Sequence, residues 1–406
     1  MFKVTNKEGN RQMIIIETNS CPSGQKSMPL LSETEIYGGY KTIVESILDD
    51  LLASDKQNGD LAVIYDKNLM ESSAYCSVLA KLSKEKVWFV EYYDDDQSKN
   101  IDWRPDGFMY VRDQSNQWHP IRACIRYVTQ KPWNRIPVNS KTIIINPIIA
   151  CLAGGRNKIM AAHAYQMLNH ELEQSGLSIR IPTTKLNITK NEIPAYVQKM
   201  GGHAVIKEPY GNCGVGVYTI TNQRELNEFM NMSHHYDKFI IQSLVGHSSW
   251  SKYTKSSNDY YHVCTLSNEN NEMFAYDLRM VVTANRHGFL PVSINGRRAR
   301  KPLVADLTSL DETTSSWDML GTNLSIKLDH NVWDTESVRL LLMDNQSFDE
   351  LGVSVDDLID GYIQTVLSII AIDKMCARLL DQDNKFKYDL YRELNFDDAL
   401  FDEIKI

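Results

Sequence analysis

Residues 204–220, AVIKEPYGNCGVGVYTI, constrain this chain more than any other stretch. An apolar run ends in Lys207, a glycine-rich loop follows, and a second β-prone run closes the segment. Two strands bracketing such a loop lay backbone N–H groups around a polyphosphate while the lysine supplies a fixed positive charge. Gly211, Gly214 and Gly216 let the backbone take positive φ and approach a ligand closely. No Gly-Lys-Ser/Thr follows to open a helix, so the segment is not a P-loop. Taken alone it also reads as an ordinary glycine hairpin, and its neighbours along the chain decide between the two.

The 406 residues suffice for two or three domains with substantial cores, and 43% apolar and 23% charged residues give an ordinary globular composition. No window reaches the roughly 18 consecutive apolar residues of a membrane span. The opening MFKVTNKEGNRQ lacks the apolar region of a secretory signal. Seven scattered cysteines without a CxxC pair suit buried or free thiols in a reducing cytoplasm. Residues 331–406 carry 17 acidic against 7 basic side chains, whereas the preceding 330 carry 35 and 36. The net charge of −9 therefore sits in the tail, and no basic stripe points to nucleic acid.

The pattern along the chain is α/β. Residues 2–19 read as a hairpin, with Glu17-Thr18-Asn19 ending the apolar strand. Residues 32–52 read as a helix with Ser32 and Glu35 as a capping box. The runs 61–65, 70–83 and 86–93 alternate as strand, helix, strand, which predicts a parallel pair. A second α/β region is expected from 141–147, with a helix over 158–168, a short helix near 224–230, and strands at 238–245 and 272–284. The polar stretch 247–259 reads as a loop that covers a site. Past residue 330 the pattern turns helical, with Ile363, Val366, Ile370 and Leu380 among the apolar positions of 355–381.

Several short motifs carry chemistry. Glu17 and Asn19, two apart on a strand, place a carboxylate and an amide oxygen on one face, a donor set that suits Mg2+ shared with phosphates. The same residues also fit an edge strand entering a Pro-Gly turn. Asp277-Leu278-Arg279 puts an acid and a guanidinium on one strand face, a fork for phosphate or carboxylate, or else a surface ion pair. Residues 295–301, NGRRARK, form a basic run that reads as an anion site or a solvated loop. Arg122, Arg126 and Lys131 add further cations in IRACIRYVTQKPW.

In chain order, Lys158 in GGRNK, IPTT at 181–184, Lys207 before the glycine loop, FIIQSLV and DLR at 277–279 resemble an ATP-grasp fold. The E-x-N pair precedes these elements, an order similar to the permuted relatives, eukaryotic glutathione synthetase and glutathionylspermidine synthetase. The overall likeness is to the pheganomycin-type peptide ligases. That resemblance implies a pre-ATP-grasp α/β domain at 1–140, an ATP-grasp body at 141–330 and an acidic helical C-terminal domain at 331–406. It implies Lys158 and Lys207 on ATP phosphates, and Gly211, Gly214 and Gly216 closing over them. Gln242, Ser243, Leu244 and Val245 would hold adenine and ribose, with Glu17 and Asn19 on Mg2+ and Arg279 and Arg297 on the transferring group.

The chain departs from the permuted pattern at Thr5, where relatives often place a metal-binding acid, so Glu208 and Asp277 remain candidates for a third ligand. The glycine loop also lacks the glutamate ligand of glutathione synthetases. The implied activity is an ADP-forming carboxylate–amine ligase that builds an amide through an acyl phosphate, on amino acids or small peptides in specialised peptide biosynthesis. A small-molecule kinase and a non-catalytic ATP-binding scaffold are the alternatives. The acidic tail is open to four readings: packing on the body, a homodimer interface, attraction of a cationic amine, or a solvated helical face.

Overall fold

A computed structural model describes the chain apart from residues 26–27, 29–36, 54, 94–99, 130–131, 212–213, 253–259, 264–265, 268–269, 308–313, 330–331 and 405–406. The Ser32–Glu35 capping box, Lys131 and the second half, 253–259, of the polar stretch 247–259 lie outside the described residues.

The N-terminal hairpin pairs β1 (Phe2–Asn6) with β2 (Arg11–Ile14) in antiparallel register. Asn6 closes its turn by accepting hydrogen bonds from the backbone N–H groups of Glu8 and Asn10. β2 stops at Ile14, earlier than the apolar run suggests, because the Ile15 N–H leaves the hairpin and donates to the Arg180 carbonyl at 2.8 Å. Glu17-Thr18-Asn19 therefore lies beyond the strand rather than at its end.

Helix α1 (Gly38–Leu52) buries Tyr40, Ile43, Val44, Ile47 and Leu51 along one face. It packs with α2 (Leu69–Ser83) on a sheet built from β3 (Asp60–Tyr65), β4 (Val87–Glu91), β5 (Ile101–Trp103), β6 (Met109–Arg112) and β7 (Trp118–Tyr127). The order is β4-β3-β7-β6-β5, with β3 parallel to both β4 and β7. The expected parallel pair is present. The strand β8 (Ile143–Ile145) pairs parallel with β7 and so completes this sheet, although the apolar run there reads as the opening of the next region.

After β8 the chain makes a π-helical turn, Cys151–Gly155, and enters α3 (Lys158–Glu171). Gly154 takes φ +147° and a Cβ there would come within 2.9 Å of the Ala161 backbone, so only glycine permits this contact between turn and helix. A four-stranded antiparallel sheet follows, formed by β9 (Thr184–Thr189), β10 (Ala204–Lys207), β11 (Val217–Ile220) and β12 (Lys238–Ser243) in the order β11-β10-β12-β9. Helices α4 (Ile193–Lys199) and α5 (Gln223–Asn231) cover it through Ile193, Val197, Leu226 and Phe229.

β13 (Tyr260–His262) adds to the N-terminal hairpin beside β1. β14 (Leu266–Ser267) and β15 (Met273–Phe274) form a short pair. The long hairpin β16 (Tyr276–Asn285) and β17 (Gly288–Arg298) comes next. β17 extends into the basic run, which is therefore not a solvated loop. Each of its cations has a contact: Arg297 pairs with Asp277 and Arg300 with Glu336 and Asp318, while Lys301 donates to Thr314 and Arg298 lies over Phe274.

The tail turns helical later than its composition suggests. Helix α6 (Ser316–Leu320), β18 (Ser325–Asp329), β19 (Val332–Thr335) and β20 (Leu340–Leu341) precede α7 (Asn345–Leu351), α8 (Val355–Arg378), α9 (Tyr388–Leu394) and α10 (Asp398–Asp402). α8 is not a solvated face. Leu367, Ala371, Ile372 and Met375 enter the main core together with Ala161, Ala164 and the turn residues Leu152 and Ala153. The buried stripe is rotated from the apolar positions because Gln364, Thr365 and Ser368 are buried and hydrogen-bonded, Gln364 to Arg180 N and Ser178 O. Truncating Ile372, 6% exposed, to alanine should destabilise the protein by about 2–5 kcal/mol. The same change at Ile363, 37% exposed, should stay within about 1 kcal/mol, and denaturant unfolding of the two variants distinguishes these helix phases.

Candidate functional site

Residues far apart in sequence line one cavity: Glu17, Asn19, Lys158, Lys207, Gly211 and Gln242. About 540 Å³ of open space lies between them, a figure that includes the mouth and the solvent in it. Each wall has a local cause. Lys158 opens α3, where the Asn157 side chain caps the helix by accepting from the N–H groups of Ile159 and Met160. Lys207 ends β10, opposite Val217, so the glycine loop springs from the position where the lysine stands. Gln242 lies on the neighbouring β12 and donates to Thr184 Oγ1 on β9 at 2.8 Å.

The E-x-N segment is bolted to α3 and the turn before it. Thr18 Oγ1 shares a 2.9 Å hydrogen bond with Tyr165 OH and donates a longer one, at 3.4 Å, to the Gly154 carbonyl. Ser20 and Cys151 side chains lie 3.0 Å apart, and Asn146 donates to the Ser20 carbonyl at 2.6 Å. Arg156 donates to Asn19 Oδ1 at 3.3 Å. Lys207 Nζ donates to the Ile16 carbonyl and Lys158 Nζ to the Gly211 carbonyl, both at 3.4 Å. These long bonds leave the ammonium groups available to an anion.

The electrostatics favour a polyanion. Burial alone would raise the Glu17 carboxyl, but Lys158, Lys207, Arg279 and Arg297 outweigh it and hold the group below the usual range. Burial lowers Lys158, with Glu17 opposing and Arg156 reinforcing the drop. Lys207 is brought down to about 8, chiefly by burial, against the pull of Glu17. Glu17 thus faces several cations in a confined space.

On β16 and β17 the paired registers Asp277–Arg297 and Arg279–Asn295 set these four side chains on one face of the hairpin. Arg297 grips Asp277 with two guanidinium nitrogens, Nε at 3.0 Å from Oδ1. Burial lowers Arg279, as does Arg297 beside it, and Glu17 contributes in the opposite sense. Gln25, at the far end of the loop after Glu17, donates to Ser293 on β17 at 2.7 Å, which draws that loop onto the hairpin.

Other expected residues fall elsewhere. The side chains of Leu244 and Val245 sit in separate apolar clusters, one with Trp250 and Met319, the other with Val4 and Ile14. Ser243 is buried and its N–H bonds to Thr183 O. Gly214 and Gly216 take φ +80° and +74° and shape the loop without lining the cavity. The two candidate third ligands are engaged: Asp277 by Arg297, Glu208 by Tyr218 and His234. Arg122 and Arg126 brace the first sheet, bonding to Glu85, Gly59 O and Asn146 O. Arg156, Tyr165 and the apolar floor of Ile16, Ile181 and Ile240 line the cavity as well. Tyr165 stands seven residues after Lys158, two turns along the same helix face, which was the one available clue to it.

No family model matches the sequence, and no curated protein resembles it at a significant level. Solved structures show a partial likeness. An ATP-grasp protein with a RimK domain from Sphaerobacter thermophilus DSM 20745 is 11% identical, with a TM-score of 0.33, over 76% of this chain and 98% of its own. D-alanyl-alanine synthetase A from Vibrio cholerae O1 biovar eltor str. N16961 is 12% identical, TM-score 0.42, over 77% and 80%. A glutathione-synthetase-like effector from Globodera pallida, in its apo form, is 10% identical, TM-score 0.40, over 73% and 66%. At these values the functional reading rests on the cavity.

The Lys207 assignment makes a pH prediction. An anion raises the depressed pKa, so binding takes up a proton and affinity must fall as the pH rises above about 8. ADP titrated by calorimetry between pH 7.5 and 10 should bind progressively more weakly, by up to about tenfold per pH unit for one linked proton. A Lys207→Arg variant should lose part of that dependence, the remainder coming from Lys158, which burial also lowers.

Proposed function

We propose that the chain is an ATP-dependent carboxylate–amine ligase of the ATP-grasp type, releasing ADP and phosphate. The observation that carries this reading is the convergence of Glu17, Asn19, Lys158 and Lys207 on one cavity. Two lysines on separate elements suit a polyphosphate, and a carboxylate–amide pair suits Mg2+, which takes oxygen ligands and shares them with phosphates. Among the described residues no group of three or more His, Cys, Asp or Glu could hold a metal by itself. That sparse donor set fits an ion brought in with nucleotide. Glu17 and Asn19 would hold it, and it would neutralise charge on the phosphates.

The remaining roles belong to the chain's own side chains. Lys158 and Lys207 hold the phosphates; Gln242 takes the base or ribose; Arg279, beside the Arg297–Asp277 pair, holds the transferring phosphoryl or the carboxylate. A carboxylate oxygen attacks the γ-phosphorus and ADP leaves, giving an acyl phosphate. An amine then attacks the carbonyl carbon, phosphate leaves, and the nitrogen loses a proton. Catalysis here is positioning and charge neutralisation. The substrate class we propose is amino acids or small peptides in specialised peptide biosynthesis. The five described cysteines are free thiols, which supports a reducing cytoplasmic setting. No helix among the described residues is long and apolar enough to cross a membrane.

Hydroxylamine trapping tests the reaction. Protein, Mg-ATP and pooled amino acids or dipeptides should yield a hydroxamate that requires ATP and one particular carboxylate. ADP with a stable phosphorylated product and no hydroxamate would replace this reading with a kinase. Glu17→Ala and Arg279→Ala should each cut turnover by roughly 10²–10³ while the fold is kept. Full activity in either would remove that residue from the site.

A further inference from the structure

A side chain at Gly214 would collide with an indole. A Cβ there would stand 2.8 Å from Trp317 Cζ2 and 3.4 Å from Cη2, and the residue takes φ +80°. Gly321 leaves room for the same ring: a Cβ there would stand 2.6 Å from Trp317 Cε2 and 2.8 Å from Cδ2. Two glycines, one in the glycine-rich loop and one just past α6, thus accommodate a single half-buried tryptophan.

The indole stands on a fixed base. Ser316, its neighbour at the start of α6, shares a 2.6 Å hydrogen bond with Thr219 Oγ1 on β11 and donates its N–H to Glu225 Oε1 at 2.7 Å. Met319 and Leu320 of α6 are buried with Leu244 and Trp250. The Asp318 carbonyl accepts from the N–H groups of Arg300 and Lys301. Because β11 pairs with β10, α6 is tied to the sheet that carries Lys207, and Trp317 meets the loop from there.

The loop itself is fixed beside this contact. Glu208 N–H donates to the Gly216 carbonyl at 2.7 Å, and Val217 N–H to the Gly214 carbonyl at 3.3 Å. At the loop's other end Gly211 lines the cavity, and its carbonyl accepts from Lys158 Nζ. N–H groups presented to a phosphate bind it well only at short distance and good alignment, so a small backbone shift costs affinity.

We propose that Trp317 is a positioning residue for the nucleotide phosphates: its indole backs Gly214 and sets how closely the glycine loop stands to the cavity. The proposal rests on the nucleotide reading above and adds to it a residue that does not line the cavity and acts through the loop.

Calorimetric titration with a β,γ-methylene ATP analogue in excess Mg2+ tests this without turnover. Trp317→Ala should weaken binding by about tenfold or more, the worth of one hydrogen bond from the loop to a charged phosphate. Trp317→Phe, which keeps a smaller ring in place, should lose less. Gly214→Ala should weaken binding through its positive φ and the collision together. Removing the indole removes the collision, so the Gly214→Ala penalty should shrink at least about threefold in the Trp317→Ala background. It should shrink in Trp317→Phe as well, which serves if the alanine variant does not fold. A tryptophan that only stabilises α6 lowers the unfolding temperature and shows no coupling to Gly214 in binding. Additive penalties across the cycle, or a folded Trp317→Ala variant that binds like wild type, overturn the positioning role. A wild-type protein that binds no analogue, or a Lys158→Gln variant that binds like wild type, overturns the nucleotide reading instead.

Discussion

Asn157 fills its hydrogen-bonding capacity, and the site depends on it. Its oxygen accepts the backbone N–H groups of Ile159 and Met160, and its nitrogen donates to Tyr391 OH at 2.8 Å and Asn395 Oδ1 at 2.9 Å. The residue is fully buried, where an unpaired amide would cost on the order of 1–3 kcal/mol. These four bonds fix where α3 begins, and so where Arg156 and Lys158 stand on either side of the cap. They also tie the lysine wall of the cavity to the C-terminal helices. The acidic tail is a buttress for the site, and Gly154 lets the turn before Asn157 sit against α3 and Ile372 of α8.

Around that anchor the protein accumulates like charges. Lys158 and Lys207 are both depressed by burial, and Glu17 is the carboxylate that partly offsets them. Holding several cations together out of bulk water is unfavourable unless an anion arrives, so the arrangement stores affinity for a polyphosphate. The hairpin β16–β17 solves the same problem differently, by giving Arg297 the buried Asp277 as a partner. Arg279 stands two register positions away, on the same face, with no carboxylate ion pair of its own among the described residues, which suits it to a ligand.

Much of this architecture was readable before any coordinates. The strand-helix-strand alternation through residue 93 and the β10–glycine loop–β11 hairpin are local patterns, so periodicity and glycine placement exposed them. Lys158 and the E-x-N pair acquired meaning from their order along the chain, since single lysines and acids carry no pattern. The failures have physical causes. β2 ended early because the Arg180 carbonyl captured Ile15 N–H, a long-range contact with no local signal. The phase of α8 was misjudged because Gln364, Thr365 and Ser368 satisfy their polar atoms internally and can be buried. The run NGRRARK read as an anion site or a solvated loop, yet Asp277, Asp318 and Glu336, remote in sequence, pair with two of its cations, Arg297 and Arg300. Arg156 escaped notice because its contact with Asn19 spans 137 positions.

The central claim is that the cavity transfers a phosphoryl group to a carboxylate. Pooled amino acids and dipeptides carrying ¹⁸O in their carboxylates, incubated with the protein, Mg-ATP and hydroxylamine as the acceptor amine, test it by atom accounting. Acyl-phosphate chemistry requires one carboxylate oxygen to leave with the phosphate, so the released phosphate should carry one ¹⁸O per turnover. Released phosphate free of the label would contradict the account.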